Sequence, residues 1–77
     1  MTVIIYTTTH CPYCHMAKEF FKKNNVKYKE INVEEDEKAA EEMIEKSGQM
    51  GVPVIDIDGQ IIVGFNKTAI EKALKLK

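Results

Sequence analysis

The chain of 77 residues has no arginine, no tryptophan, only two cysteines, two prolines and four glycines. Without arginine it lacks the planar fork that binds phosphate and carboxylate groups bidentately, so a phosphate-clamping function has little to work with. All eleven basic residues are lysines, and a formal charge of -1 gives no electrostatic case for nucleic acid. The N-terminal stretch MTVIIYTTTH has one four-residue apolar run, no basic n-region and no small-residue cleavage site. It therefore predicts neither a signal peptide nor a membrane span, and the expected location is the cytosol. The cysteines, Cys11 and Cys14, close a ring of only four residues, for which chain entropy gives at most about 2 kcal/mol of stabilisation. A structural staple would join distant segments. In a reducing compartment such a close pair points instead to catalysis or metal binding.

What is present fits one domain over residues 1–77, expected to be monomeric and able to bury roughly 60% of the surface its unfolded form exposes. Val3-Ile4-Ile5-Tyr6 is an apolar, β-branched run that predicts a strand buried on both faces. Pro12 suits the first position of a helix, along which Cys14, Ala17 and Phe21 share one face with Phe20 beside them, ending near Asn24-Asn25. Alternation from Val26 to Val33 predicts a second strand. Glu34-Glu35-Asp36-Glu37 suits the first turn of a second helix, with Ala40, Met43 and Ile44 as its core stripe and Ser47-Gly48 as its stop. Asp58-Gly59 between Val54–Ile57 and Gln60–Val63 marks an antiparallel hairpin. Phe65-Asn66 opens the last helix, with Asn66 as its cap, Phe65 and Ile70 as a hydrophobic staple, and Ala73 and Leu74 continuing the buried face. The order β-α-β-α-β-β-α implies an α/β fold with a four-stranded mixed sheet and three helices, placing Cys11 where the first strand hands over to the first helix.

The hexapeptide HCPYCH, His10 to His15, admits three chemistries: a redox dithiol, a C-x-x-C-H haem attachment, and a metal site of two thiols and two imidazoles. Haem attachment requires export and room for a macrocycle beside a packed helix. Structural zinc sites usually draw together two separated ligand pairs, and a second pair is missing here, which leaves a metal or iron-sulfur cluster shared between two chains as the remaining metal reading. A dithiol enzyme needs one ionised cysteine and a second close enough to release the mixed disulfide. At or near the N-cap, Cys11 can take backbone N-H groups of Tyr13 and Cys14 while feeling the positive helix end, which lowers its pKa from the free value of about 8.5. Cys14 faces inward and is suited to resolving. His10 and His15 fit a solvated role, because a cation at a helix N-terminus opposes the dipole.

These residues resemble the glutaredoxins over almost the whole chain: a strand ending in Tyr6-Thr7, Cys11-Pro12-Tyr13-Cys14 opening a helix, Val52-Pro53 before the third strand, and Gly64 before the last helix. The resemblance implies a thioredoxin fold. It further implies reduction of protein disulfides or glutathione mixed disulfides by a Cys11 thiolate, with no tightly bound cofactor and glutathione as co-substrate. It also implies a cis Val52-Pro53 peptide whose backbone pairs with substrate, and a glutathione seat formed by Tyr13, Val52, Pro53, Gly64, Phe65 and Asn66. A cis X-Pro bond turns the chain sharply, so Val52's N-H and C=O can meet an extended substrate, and N-H groups after Gly64 suit a carboxylate. Two departures stand out. Phe65, Asn66 and Lys67 replace a second glycine and an acidic pair, with Thr68 as a reserve polar contact, and Thr8 replaces a basic residue before CPYC. Gly64-Phe65 is similar instead to the NrdH-type redoxins, which implies thioredoxin reductase as electron source and ribonucleotide reductase as acceptor.

Overall fold

The computed structural model describes residues 2 to 75. Its elements are β1 (Val3–Thr7), α1 (Pro12–Lys23), β2 (Lys29–Asn32), α2 (Glu37–Ser47), β3 (Val54–Ile57), β4 (Gln60–Val63) and α3 (Lys67–Leu74). The sheet order is β2-β1-β3-β4, with β1 parallel to β2 and the other pairs antiparallel. The β-branched, apolar character of β1 follows from its place between two neighbours, where both faces are covered.

Alternation along the strands divides the core in two. Val3, Ile5, Ile55, Ile57 and Ile62 point to the face covered by α1 and α3, where they pack with Ala17, Phe21, Ile70, Ala73 and Leu74. Tyr6 and Val54 point the other way, onto Ala39 and Met43 of α2. The hairpin turn is made by Asp58 at φ 51° and Gly59 at φ 91°, the left-handed pair that a two-residue loop needs.

Three expectations shift. The second strand is shorter than Val26–Val33: Asn25 takes φ 57° and Val26 N-H closes back on Phe21 O at 2.8 Å, so residues 24–28 form the turn and connection out of α1 and only Lys29–Asn32 joins the ladder. Val26 and Tyr28 still pack against the core around Phe21. The second helix starts later than Glu34, because Asp36 is its N-cap and accepts from Ala39 N-H at 3.1 Å; a short aspartate side chain reaches that N-H more readily than glutamate. Its buried stripe is Ala39 and Met43; Ala40 is half-buried and Ile44 is exposed. Among the described residues no helix is long and apolar enough to cross a membrane.

Candidate active site

Strand registers bring three segments to one end of the sheet. Tyr6 pairs with Val54, and Val54 with Val63, so the chain leaving β1 toward Cys11, the Val52-Pro53 pair entering β3 and Gly64 leaving β4 all lie at that end. Gly64 N-H donates to Pro53 O at 2.8 Å, joining two of them directly. The Val52-Pro53 peptide is cis, as the family resemblance implied.

Cys11 occupies the N-cap of α1 in extended conformation (φ -137°, ψ 97°), and Cys14 N-H donates to its Sγ at 3.1 Å. This is the one such bond to Cys11 Sγ among the described residues, whereas a second from Tyr13 N-H was expected; the Tyr13 side chain is 63% exposed. Pro12 at the first helical position removes an N-H that would otherwise lack a partner. No carboxylate lies in the first turn, so nothing there opposes negative charge on sulfur. Cys11 is half-buried and Cys14 only 1% exposed; the two form a disulfide with Cα atoms 5.2 Å apart. His15 Nε2 lies 3.4 Å from Glu19 Oε1 on the solvent side, with both side chains about 70% exposed. Among the described residues no group of three or more His, Cys, Asp or Glu could hold a metal ion.

Of the remaining positions singled out from sequence, Val52, Gly64 and Phe65 are half-buried, Pro53 is buried, and Asn66 is exposed with its Oδ1 accepting from Ala69 N-H at 3.1 Å as the cap of α3. Gly64 has φ 79°, a conformation glycine adopts without strain. Phe65 turns toward α1, its ring edge-on to Phe20 at 6.1 Å between centroids.

Several supporting contacts had no short-range signal. Ahead of Cys11, Thr9 N-H donates to Glu34, holding that carboxyl below its usual range, and Asn32 Nδ2 donates to Thr9 Oγ1 at 3.3 Å. Glu30 Oε2 accepts from Lys18 Nζ at 2.9 Å and from the buried Thr7 hydroxyl at 2.8 Å. The Lys18 bond is the main reason the Glu30 carboxyl sits below its usual range; burial pushes the other way and Thr7 adds to the lowering. On the α2 side, Lys46 Nζ donates to Tyr6 Oη at 2.8 Å and Asp56 Oδ2 at 3.0 Å; these two bonds, Tyr6 first, raise its pKa. Asp56 Oδ1 accepts from Gly59 N-H at 2.8 Å. Lys46 thus closes a loop that contains Val52-Pro53, and inside it the Gln49 amide clasps Gly51, accepting from its N-H at 2.7 Å and donating to its C=O at 2.9 Å. The one available hint was Asp56 itself, an acid inside an otherwise apolar strand, which demands a partner.

A cysteine pair at the start of the first helix, at the same end of the sheet as a cis X-Pro bond on a β-α-β-α-β-β-α frame, defines a thiol-disulfide oxidoreductase of the thioredoxin fold. The glutaredoxin family model matches residues 3–62. The chain is 51% identical over 71 residues to the glutaredoxin-like 8.6 kDa protein in the rubredoxin operon of Clostridium pasteurianum, covering 92% of this chain and 95% of that one. It is 44% identical over 62 residues to glutaredoxin 3 of Escherichia coli K12, covering 80% and 75%. Its fold is similar to that of the glutaredoxin-like protein NrdH-redoxin from Escherichia coli, with a TM-score of 0.85, 28% identity and coverage of 94% and 93%. The chain belongs to the glutaredoxin family.

Proposed function

We propose that the protein is a cytosolic, glutathione-dependent reductase of protein disulfides and glutathione mixed disulfides, with Cys11 as nucleophile and Cys14 as resolving cysteine. The observation that carries the assignment is the asymmetry of the pair: Cys11 is at the helix N-cap with an N-H donor 3.1 Å from its sulfur, while Cys14 is buried. A thiolate is stabilised at the first site by the hydrogen bond and the helix dipole, and disfavoured at the second by desolvation.

In the forward reaction the Cys11 thiolate attacks one sulfur of the target disulfide. A Cys11-target disulfide forms, the target disulfide breaks, and the departing thiolate takes a proton from solvent. Cys14, deprotonated as it attacks, displaces the second target thiol and leaves the Cys11-Cys14 disulfide holding the oxidation. One glutathione thiolate then opens that bond as a mixed disulfide on Cys11, and a second displaces Cys11, giving oxidised glutathione and the dithiol. The substrate backbone lies along Val52, just before β3, pairing as a short added strand. Glutathione lies between Tyr13 and the Gly64-Phe65-Asn66 segment, its γ-glutamyl carboxylate toward the N-terminus of α3.

One observation favours a second reading, in which thioredoxin reductase supplies the electrons and ribonucleotide reductase receives them. The first turn of α3 has no acidic residue, and its first position is Lys67, which offers nothing to a glutathione ammonium group. The two reductant classes differ by roughly 40 to 70 mV in poise, so one system should dominate. Assaying turnover of a glutathione mixed disulfide with glutathione plus glutathione reductase, beside a parallel assay with thioredoxin reductase, decides between them. Faster turnover in the first supports the proposal, faster turnover in the second transfers the assignment, and failure of both sinks the enzyme reading.

A further inference from the structure

Tyr13, Met16 and Phe20 are spaced three and four apart and so form one stripe along α1, running away from the cysteine pair. Tyr13 and Met16 are exposed, at 63% and 47%. The stripe enters a groove of about 430 Å³ lined by Met16, Glu19, Phe20, Lys22, Lys23 and Phe65. Phe65 forms its far wall. Lys67 Nζ lies 5.9 Å above the Phe20 ring, adding a third cation at the rim. Glu19 is the groove's one acid and has His15 beside it at 3.4 Å.

The charge around the groove belongs to a larger asymmetry. Helices α1 and α3, which cover one face of the sheet, carry five lysines and two glutamates. Residues 34–47, on the other side, carry seven acids and two lysines. A molecule with a formal charge of only -1 therefore presents a cationic side along α1 and α3 and an anionic side along residues 34–47.

We propose that the groove is the docking surface for the protein target, and that it takes an extended segment bearing a bulky apolar residue flanked by carboxylates. At about 1.5 Å per helical residue, the centre of the groove lies on the order of 10 Å along α1 from Cys11. An extended peptide spans that distance in about three residues, so the apolar residue stands about three positions from the target cysteine. The ring packs onto the apolar floor made by Met16, Phe20 and Phe65, and the carboxylates meet Lys22, Lys23 and Lys67. The inference rests on Cys11 as the attacking sulfur.

The test uses three disulfide-linked peptides that share a cysteine core and differ three positions away: phenylalanine with two glutamates, phenylalanine with two lysines, or serines throughout. At low salt the KM for the acidic peptide should be about tenfold below that for the basic one, with kcat similar and the gap closing in 0.5 M salt. The double variant K22E/K23E should invert the preference, and its gain of the basic peptide shows that it is folded. If the intact protein reduces all three with equal KM, the docking surface is wrong while the reaction stands. If it reduces none of them, nor 2-hydroxyethyl disulfide, the reaction itself is wrong. A preference that K22E/K23E leaves unchanged places recognition elsewhere and overturns the proposal.

Discussion

The two faces of the sheet are built differently. The face under α1 and α3 is apolar and aromatic: Phe21 is fully buried and sits with Phe20, Tyr28 and Phe65 in a chain of ring contacts 5.3 to 6.3 Å apart. The face under α2 has a smaller apolar cluster of Tyr6, Ala39, Met43 and Val54, and is closed by the polar pin from Lys46 to Tyr6 and Asp56. Apolar packing holds the helix that presents the cysteines, whereas directional bonds hold the loop that leads to Val52-Pro53. Burial is non-directional and gives stability, while hydrogen bonds to charged groups are individually smaller but fix where a backbone lies.

The largest break in that comparison should come from Phe21→Ala, which removes a ring with 0% exposure and should cost about 3–5 kcal/mol in a urea titration. A loss no larger than that of Met43→Ala, on the α2 side, would mean the two faces share the load equally. Lys46→Met keeps the side-chain stem but removes both hydrogen bonds, leaving the partly buried Asp56 carboxylate without its cation. It should cost about 1–2 kcal/mol by the same titration, and Lys46→Arg should recover part of it.

A smaller effect separates the faces by pH. The Glu30 carboxyl is held below its ordinary value by Lys18, so the stability it contributes is full above that value and fades as pH falls through it toward the lowered one. The pair is partly exposed, and the contribution should be under about 1 kcal/mol. Glu30→Gln should flatten the decline in stability between neutral and acid pH; an unchanged slope would remove Glu30 from the account. The Lys46 pin has the opposite sign, since its raised pKa keeps its contribution intact at neutral pH and loses it only in strong alkali.

The sequence was most legible where one residue type serves one local need. Val3 to Tyr6 read as an interior strand because a β-branched apolar run suits a strand covered on both faces, while Asp58-Gly59 read as a hairpin turn and Asn66 as a cap because each is fixed by geometry within a few residues. The position of Cys11 at the N-cap followed from Pro12 in the same way. Illegible features depended on distant partners. Lys46 meets Tyr6 across 40 positions of sequence, and nothing near either residue announces the other. The stripe of α2 was misplaced by one because Ala39 and Ala40 are adjacent and alike, leaving the angle of the helix to Asp36, its cap. The direction of Phe65 likewise depended on Phe20, 45 residues earlier.

The central claim is that the start of α1 makes the two cysteines chemically unlike. Alkylation of the fully reduced protein across pH, with each modified cysteine located by peptide mass, tests it directly. The account predicts that Cys11 reacts first, with a midpoint below the free-thiol value of about 8.5, while Cys14 stays unmodified until higher pH. Preferential labelling of Cys14, or matched titration of both thiols near 8.5, would contradict it.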